Sequence, residues 1–218
     1  MLSRVIRKAR YAIVLFNAGG AILFLQQLGR QIYSKATFWG LEKNLDATKI
    51  DVASGLEYHL RPASEDDIDE MLKKTEEEGR DSVHDLVQRK WFYDCGFHDC
   101  YVGRTANGGD LCYIQWLVSR KDECALNKGF QGRLPNLKED EILVENAFTF
   151  KRYRGNGVYP SALVRLAEIS RGKGFKRMLV YVKNDNIASL RGCEKAGFEV
   201  FERVLEVKFL FLTRRKHT

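Results

Sequence analysis

Hydrophobic positions along the chain switch between a period of two and a period near 3.6, and those switches mark out strands and helices. Leu56–Leu60 reads as a strand. Ser64 then caps a helix whose first turn carries Glu65, Asp66 and Asp67, favourably placed against the helix dipole. Ile68, Met71 and Leu72 give that helix its inner stripe, and Val83, Leu86 and Val87 predict a second, short one. Tyr101–Thr105 and Leu111–Val118 flank Asn107-Gly108-Gly109, a hairpin turn signal. Ile142–Phe150 follows as a strand and Ser161–Arg171 as a helix closed by Gly172 and Gly174. Phe175–Val182 ends in a continuous apolar run, as expected of a strand buried on both faces. Ile187–Lys195 predicts a short helix with Gly197 at its C-terminal cap. Glu199–Leu212 alternates as a strand does but shows no clear turn, so a final strand is either missing or borrowed.

Between the strand at Ile142–Phe150 and the next helix lies Arg154-Gly155-Asn156-Gly157-Val158-Tyr159-Pro160. A strand that turns through glycines into a helix start leaves several backbone N–H groups pointing outward. Such a nest binds anions, phosphate above all. Pro160 suits the first helical turn, where the N–H that it lacks would have been unpaired.

This loop, together with the Asn186…Gly197-Phe198 segment, resembles the GNAT superfamily of acetyl-CoA-dependent N-acyltransferases. In that family a Gln/Arg-x-x-Gly-x-Gly/Ala loop cradles the CoA pyrophosphate, and a later Asn-x-x-Ala/Ser…Gly-Phe segment forms the next strand, helix and turn. Arg154, Gly155, Asn156 and Gly157 fit the first motif, and Asn186, Ser189, Gly197 and Phe198 the second. Leu60-Arg61-Pro62 through Ile68 looks like the family's first strand and helix, so the likeness spans about Leu56 to Leu212. It implies an α/β fold of the mixed α+β kind, with a central, mainly antiparallel sheet splayed at the CoA site and flanked by helices. Two positions depart from the pattern. The loop's last glycine or alanine is Tyr159, and the tyrosine that often serves as general acid is Cys193.

The resemblance implies acetyl-CoA as co-substrate, held by Phe148, Thr149, Arg154, Gly155, Asn156, Gly157, Val158, Tyr159 and Asn186. An amine attacks the thioester directly. Its nitrogen must lose a proton, so a nearby carboxylate helps. Glu145 and Glu141 share one face of the strand ahead of the loop, with Glu145 the first candidate base because it is nearer the expected thioester. A backbone N–H near Phe148 or Thr149 meets the oxyanion. Cys193 is the candidate acid for the departing thiolate, set against a reading in which it is a buried, inert thiol. Ser119–Asp140, 22 residues with little apolar pattern, is read either as a wall of the acceptor pocket or as a solvated insertion.

Charge and cysteine content narrow the class. Of the formal net charge of +7, residues 1–43 carry +6, leaving a near-neutral remainder without the basic face that nucleic-acid binding requires. Five irregularly spaced cysteines suit a reducing compartment better than a disulfide framework. Cys95, His98 and Cys100 have no second cluster to complete a structural zinc site, so no metal is expected.

The chain divides into a basic and apolar N-terminal helical extension, residues 1–50, and an acetyltransferase-like domain, residues 51–218. Arg4, Arg7, Lys8 and Arg10 precede the apolar run Tyr11–Leu25. As a helix that run would be about 22 Å long, short of the roughly 30 Å needed to span a bilayer. Residues 4–25 therefore read as a peripheral contact at the inner face of the membrane, in a cytoplasmic protein, or as a segment that docks on the domain or on a second copy in a homodimer. Three functional readings stand: acetylation of a small or lipid-linked amine, such as an amino sugar; acetylation of a peptide or protein amine; and a non-catalytic, CoA-binding, membrane-associated module.

Overall fold

The computed structural model describes residues 33–47, 50–122, 135–209 and 212–218. Its strands are β1 (Tyr33–Asn44), β2 (Tyr58–Pro62), β3 (Cys100–Thr105), β4 (Leu111–Val118), β5 (Glu141–Thr149), β6 (Arg177–Lys183), β7 (Glu199–Phe209) and β8 (Leu212–His217). Its α-helices are α1 (Glu65–Lys73), α2 (Thr75–Glu78), α3 (Arg80–Asp94), α4 (Val158–Gly172) and α5 (Ile187–Lys195). One sheet takes all eight strands in the order β2-β3-β4-β5-β6-β1-β7-β8. Every pairing is antiparallel except β5 with β6, which α4 joins as a crossover. The mixed, mainly antiparallel sheet is the fold class expected from the sequence.

Period-two alternation divides the core into two layers. Ile114, Trp116 and Leu143 lie in a cluster with Met71 of α1 and Leu86 and Phe92 of α3. Leu117, Ile142, Val144, Met178 and Val180 lie in the other, with Leu163 and Leu166 of α4 and Cys193 of α5. The α1 cap forms as its residues dictate: Ser64 accepts from Asp67 N–H while the Asp67 carboxylate takes Ser64 N–H at 2.7 Å. The second helix, expected to be short, runs to 15 residues as α3. Glu199 onward forms a hairpin within this chain, with Phe209 opposite Leu212, so the last strand is neither missing nor borrowed.

The expected helical extension over residues 1–50 is corrected in part. Tyr33–Asn44 is a strand at the heart of the sheet, pairing with β6 from Phe38 to Asn44 and with β7 from Tyr33 to Glu42. Its alternation explains why: Trp39 and Leu41 pack against the α4–α5 layer, while Glu42 turns to the other side and meets Arg177. Gly40 makes room there, since a Cβ would stand 2.6 Å from Glu202 Cγ and 3.1 Å from the rings of Tyr181 and Phe201. The sheet therefore begins before residue 51. Residues 4–25 lie outside the described residues, as does most of the segment 119–140. Among the described residues no helix is long and apolar enough to cross a membrane.

Candidate active site

β5 and β6 run in register for only four rungs, from Glu141 opposite Arg177 to Val144 opposite Val180. Beyond that they part, and Glu145 and Tyr181 stand at the first open rung. Two features of β5 make the opening. Between Ile114–Phe148 and Trp116–Glu145, the single residue Gln115 of β4 faces both Asn146 and Ala147 of β5, a bulge. Asn146 takes φ +56°, a left-handed conformation that asparagine tolerates better than most residues.

Arg89 of α3 reaches the bulge. Its Nε donates to the Asn146 carbonyl at 2.9 Å and its Nη2 to the Ala147 carbonyl at 2.7 Å, while Nη1 bonds back to the Asp85 carbonyl at 2.7 Å. Past the bulge, the Phe150 N–H bonds the Cys112 carbonyl of β4. Period two then turns the Phe148 backbone toward β4 and the Thr149 backbone toward the opening. The Thr149 carbonyl accepts from Arg154 Nε at 2.8 Å, which fits that direction. Thr149 rather than Phe148 thus directs its N–H into the gap. Phe148 contributes its ring, with the guanidinium groups of Arg89 and Arg154 over it at 4.8 and 5.3 Å.

The glycine turn closes the same end of the opening. Gly155 and Gly157 take φ +82° and +71°, and Gly157 is the N-cap of α4 with no side-chain cap. A Cβ on Gly157 would lie 3.2 Å from the Ala53 carbonyl. The turn is anchored from behind, because the Asn156 carbonyl accepts from Gly55 N–H at 2.8 Å and Ser54 Oγ at 3.0 Å. Among the described hydrogen bonds none is donated by the amides of Gly155 to Tyr159, which leaves them available to an anion. Val158 opens α4 and is buried. Arg154 also pairs at 3.5 Å with the buried Glu78, whose other oxygen takes the Lys151 N–H at 2.8 Å.

The two departures noted in the sequence meet in space. Tyr159, in the first turn of α4, packs against both layers of the core, and its hydroxyl lies 3.3 Å from Cys193 Sγ on α5. Gly192 permits this, since a Cβ there would come within 2.5 Å of the Tyr159 ring. Burial pushes the Cys193 thiol up to about 11, against the pull of the Tyr159 hydroxyl, and pushes Tyr159 well above the usual phenol range. With its residue fully buried, the Cys193 thiol has the Tyr159 hydroxyl as its hydrogen-bond partner.

The remaining candidates separate. Burial pushes the Glu145 carboxyl up to about 7, against the charges of Arg215 and Arg89 and the Asn146 N–H. Glu141 sits at the paired end of β5, about 13 Å away at the usual strand rise. Its carboxylate is bound by Arg177 Nη1 at 2.6 Å and Lys138 N–H at 3.0 Å. Asn186 caps α5, accepting from Ser189 N–H at 3.2 Å. Arg89, Gln115 and Tyr181 carried no motif in the sequence. Gln115 is fully buried, with Tyr113 donating to its oxygen and no acceptor among the described residues for its amide nitrogen.

No protein-family model matches the sequence, and no curated protein is significantly similar to it. Solved structures do match the fold. A GNAT-family acetyltransferase from Colwellia psychrerythraea aligns with a TM-score of 0.52 at 11% identity, over 81% of this chain and 57% of its own. A GCN5-related N-acetyltransferase from Sphaerobacter thermophilus gives 0.52 at 12% identity, over 91% of this chain and 57% of its own. The GCN5-related glucosamine N-acetyltransferase region of a fungal multi-domain β-N-acetylglucosaminidase gives 0.59 at 11% identity, over 91% of this chain and 23% of that one. This chain thus spans little more than half the length of the first two. Its fold is that of the GNAT superfamily.

Proposed function

We propose that the chain transfers an acetyl group from acetyl-CoA to the primary amine of a small or lipid-linked acceptor by direct attack in a ternary complex. The observation that carries this reading is the opening between β5 and β6, with an uncapped glycine turn at one end and Glu145 at the other. The amides from Gly155 to Tyr159 and the Arg154 guanidinium suit the pyrophosphate of the cofactor, whose pantetheine arm would run along the open edge of β5.

In the transfer, the neutral amine attacks the thioester carbonyl and the Thr149 N–H receives the developing oxyanion. Glu145 takes, through an intervening water, the proton that the nitrogen loses, since it lies four residues before Thr149 on β5. Collapse of the intermediate breaks the C–S bond. The departing sulfur then takes a proton from the Tyr159 hydroxyl, which its burial keeps protonated at working pH, and solvent restores that proton. Cys193 supports the hydroxyl rather than meeting the sulfur itself. An amino sugar is the first acceptor to try, because one of the matched folds is described as a glucosamine N-acetyltransferase region.

Calorimetric titration of acetyl-CoA into the full chain, with CoA as competitor, tests the reading. Saturable, competitive binding followed by turnover in a screen of small amines is the expected outcome. Turnover on peptides with silence on sugar amines would move the acceptor to a protein amine. No binding by the folded chain would overturn the reading.

A further inference from the structure

Arg89 has no counterpart in the motifs that led to the site, and its surroundings are unusual. A half-buried guanidinium normally finds a carboxylate. The described hydrogen bonds of Arg89 go only to three carbonyl oxygens, two of them turned out by the β5 bulge. Bulge carbonyls without partners would be costly beside a packed ring such as Phe148. A planar fork is suited to hold two of them at once, whereas a point charge on a flexible stem is not.

We propose that Arg89 is a positioning residue for acetyl transfer: its fork fixes the bulge that aims the Thr149 N–H into the opening, next along β5 from Glu145. The proposal rests on the acetyltransferase reading of the site. The groups facing Arg89 are Asp85 on its own helix, Glu145 on β5, Tyr113 on β4 and Arg154 in the glycine turn. Those acting on Glu145 are Arg215 on β8 and Arg89, while Tyr159 on α4 lies within electrostatic reach of it. Burial disfavours the Arg89 cation, and Asp85 and Glu145 counter that cost. The coupling to Glu145 is therefore mutual. Removing the cation raises the pH at which Glu145 loses its proton, and so moves the acid limb of the rate profile upward.

Two substitutions in the full chain separate the roles. Arg89→Lys keeps the charge and loses the fork; Arg89→Met loses both. Lys is expected to lower kcat about a hundredfold, as misplacement by about 1 Å does elsewhere. Its acid limb and its KM for acetyl-CoA stay near wild type. Met is expected to lose kcat as strongly and to shift that limb upward, by less than the loss of Arg215 would. Carboxyl-carbon NMR of Glu145 and the amide resonance of Thr149, recorded without acceptor, read the same two effects independently of turnover. If Arg89→Met leaves both resonances and the Glu145 midpoint unmoved, the proposal is overturned, whatever happens to the rate. If Met does not fold, Lys decides alone, since wild-type kcat in that variant overturns the positioning role. A wild-type chain without turnover sinks the acetyltransferase reading, while the two resonances still decide what Arg89 does.

Discussion

Glu145 differs from Glu141 by where the strand pairing ends, although the two share one face of β5. Glu141 is bound through both carboxylate oxygens at the paired end. Glu145 stands at the opening with its carboxyl pushed up to about 7 by burial. A base must be deprotonated, so the rate is expected to rise with pH through about 7 and level off above it. Glu145→Gln should lower turnover by about a hundredfold or more while acetyl-CoA affinity, measured by calorimetry, stays near wild type. An unchanged rate would remove Glu145 as the base. Glu141→Gln should leave kcat alone and cost about 1.5–3 kcal/mol in denaturant unfolding, the usual loss for hydrogen bonds to a charged group. Tyr159→Phe keeps the ring against Gly192 and loses only the hydroxyl. We expect kcat to fall at least about tenfold with KM unchanged if that hydroxyl serves the sulfur.

Elements hold these residues by close approach. The first turn of α4 meets α5 where Gly192 leaves space for the Tyr159 ring. Gly192→Ala inserts a Cβ about where the ring lies, so it should displace the hydroxyl from Cys193. The expected result is a kcat loss at least as large as that of Tyr159→Phe, with the helix content by circular dichroism retained. Equal kcat for Gly192→Ala and wild type would mean that the ring has no fixed place. The helix starts, the hairpin at Asn107-Gly108-Gly109 and β5 were readable because local chemistry fixes each of them. Ser64 and Asp67 bond one another within a single turn, and glycines supply the positive φ of the turn before α4. α3 outran its pattern because Arg89 and its polar neighbours break the stripe while tertiary contacts hold them.

At the scale of the molecule, β1 joins two parts of the sheet that lack direct pairing, the five strands from β2 to β6 and the pair β7 and β8. Without it, β6 and β7 would each expose a row of unpaired backbone groups. A chain starting at residue 45 is therefore expected to aggregate or stay unfolded, which sedimentation and circular dichroism would show. A folded, monomeric product would contradict that role for β1. On the opposite side, Asp67 gathers Arg61, Arg104 and Ser64 around a carboxylate that is 1% exposed. Burial alone would raise its pKa, but those bonds outweigh it and hold the carboxyl well below the usual range. A depressed carboxyl stabilises the fold above its unfolded pKa of about 4 and loses that contribution as pH falls below it. Asp67→Asn should cost about 2–3 kcal/mol near neutral pH, with the gap to wild type narrowing as pH drops below about 4. A gap independent of pH would assign the loss to packing instead.

The sequence by itself determined whatever is local: the caps, the hairpin, the glycine turn, and the pair of carboxylates alternating on β5. Those features depend on neighbours within a few residues, and short-range sterics and hydrogen bonding fix them. Tertiary structure decided the rest. That Tyr159 and Cys193 are one contact, that Arg89 spans 57 and 58 residues to hold the bulge, and that Tyr33–Asn44 fills the middle of the sheet are all long-range facts. No window of sequence carries them, because strand pairing and side-chain reach between distant segments are chosen by the whole packed sheet.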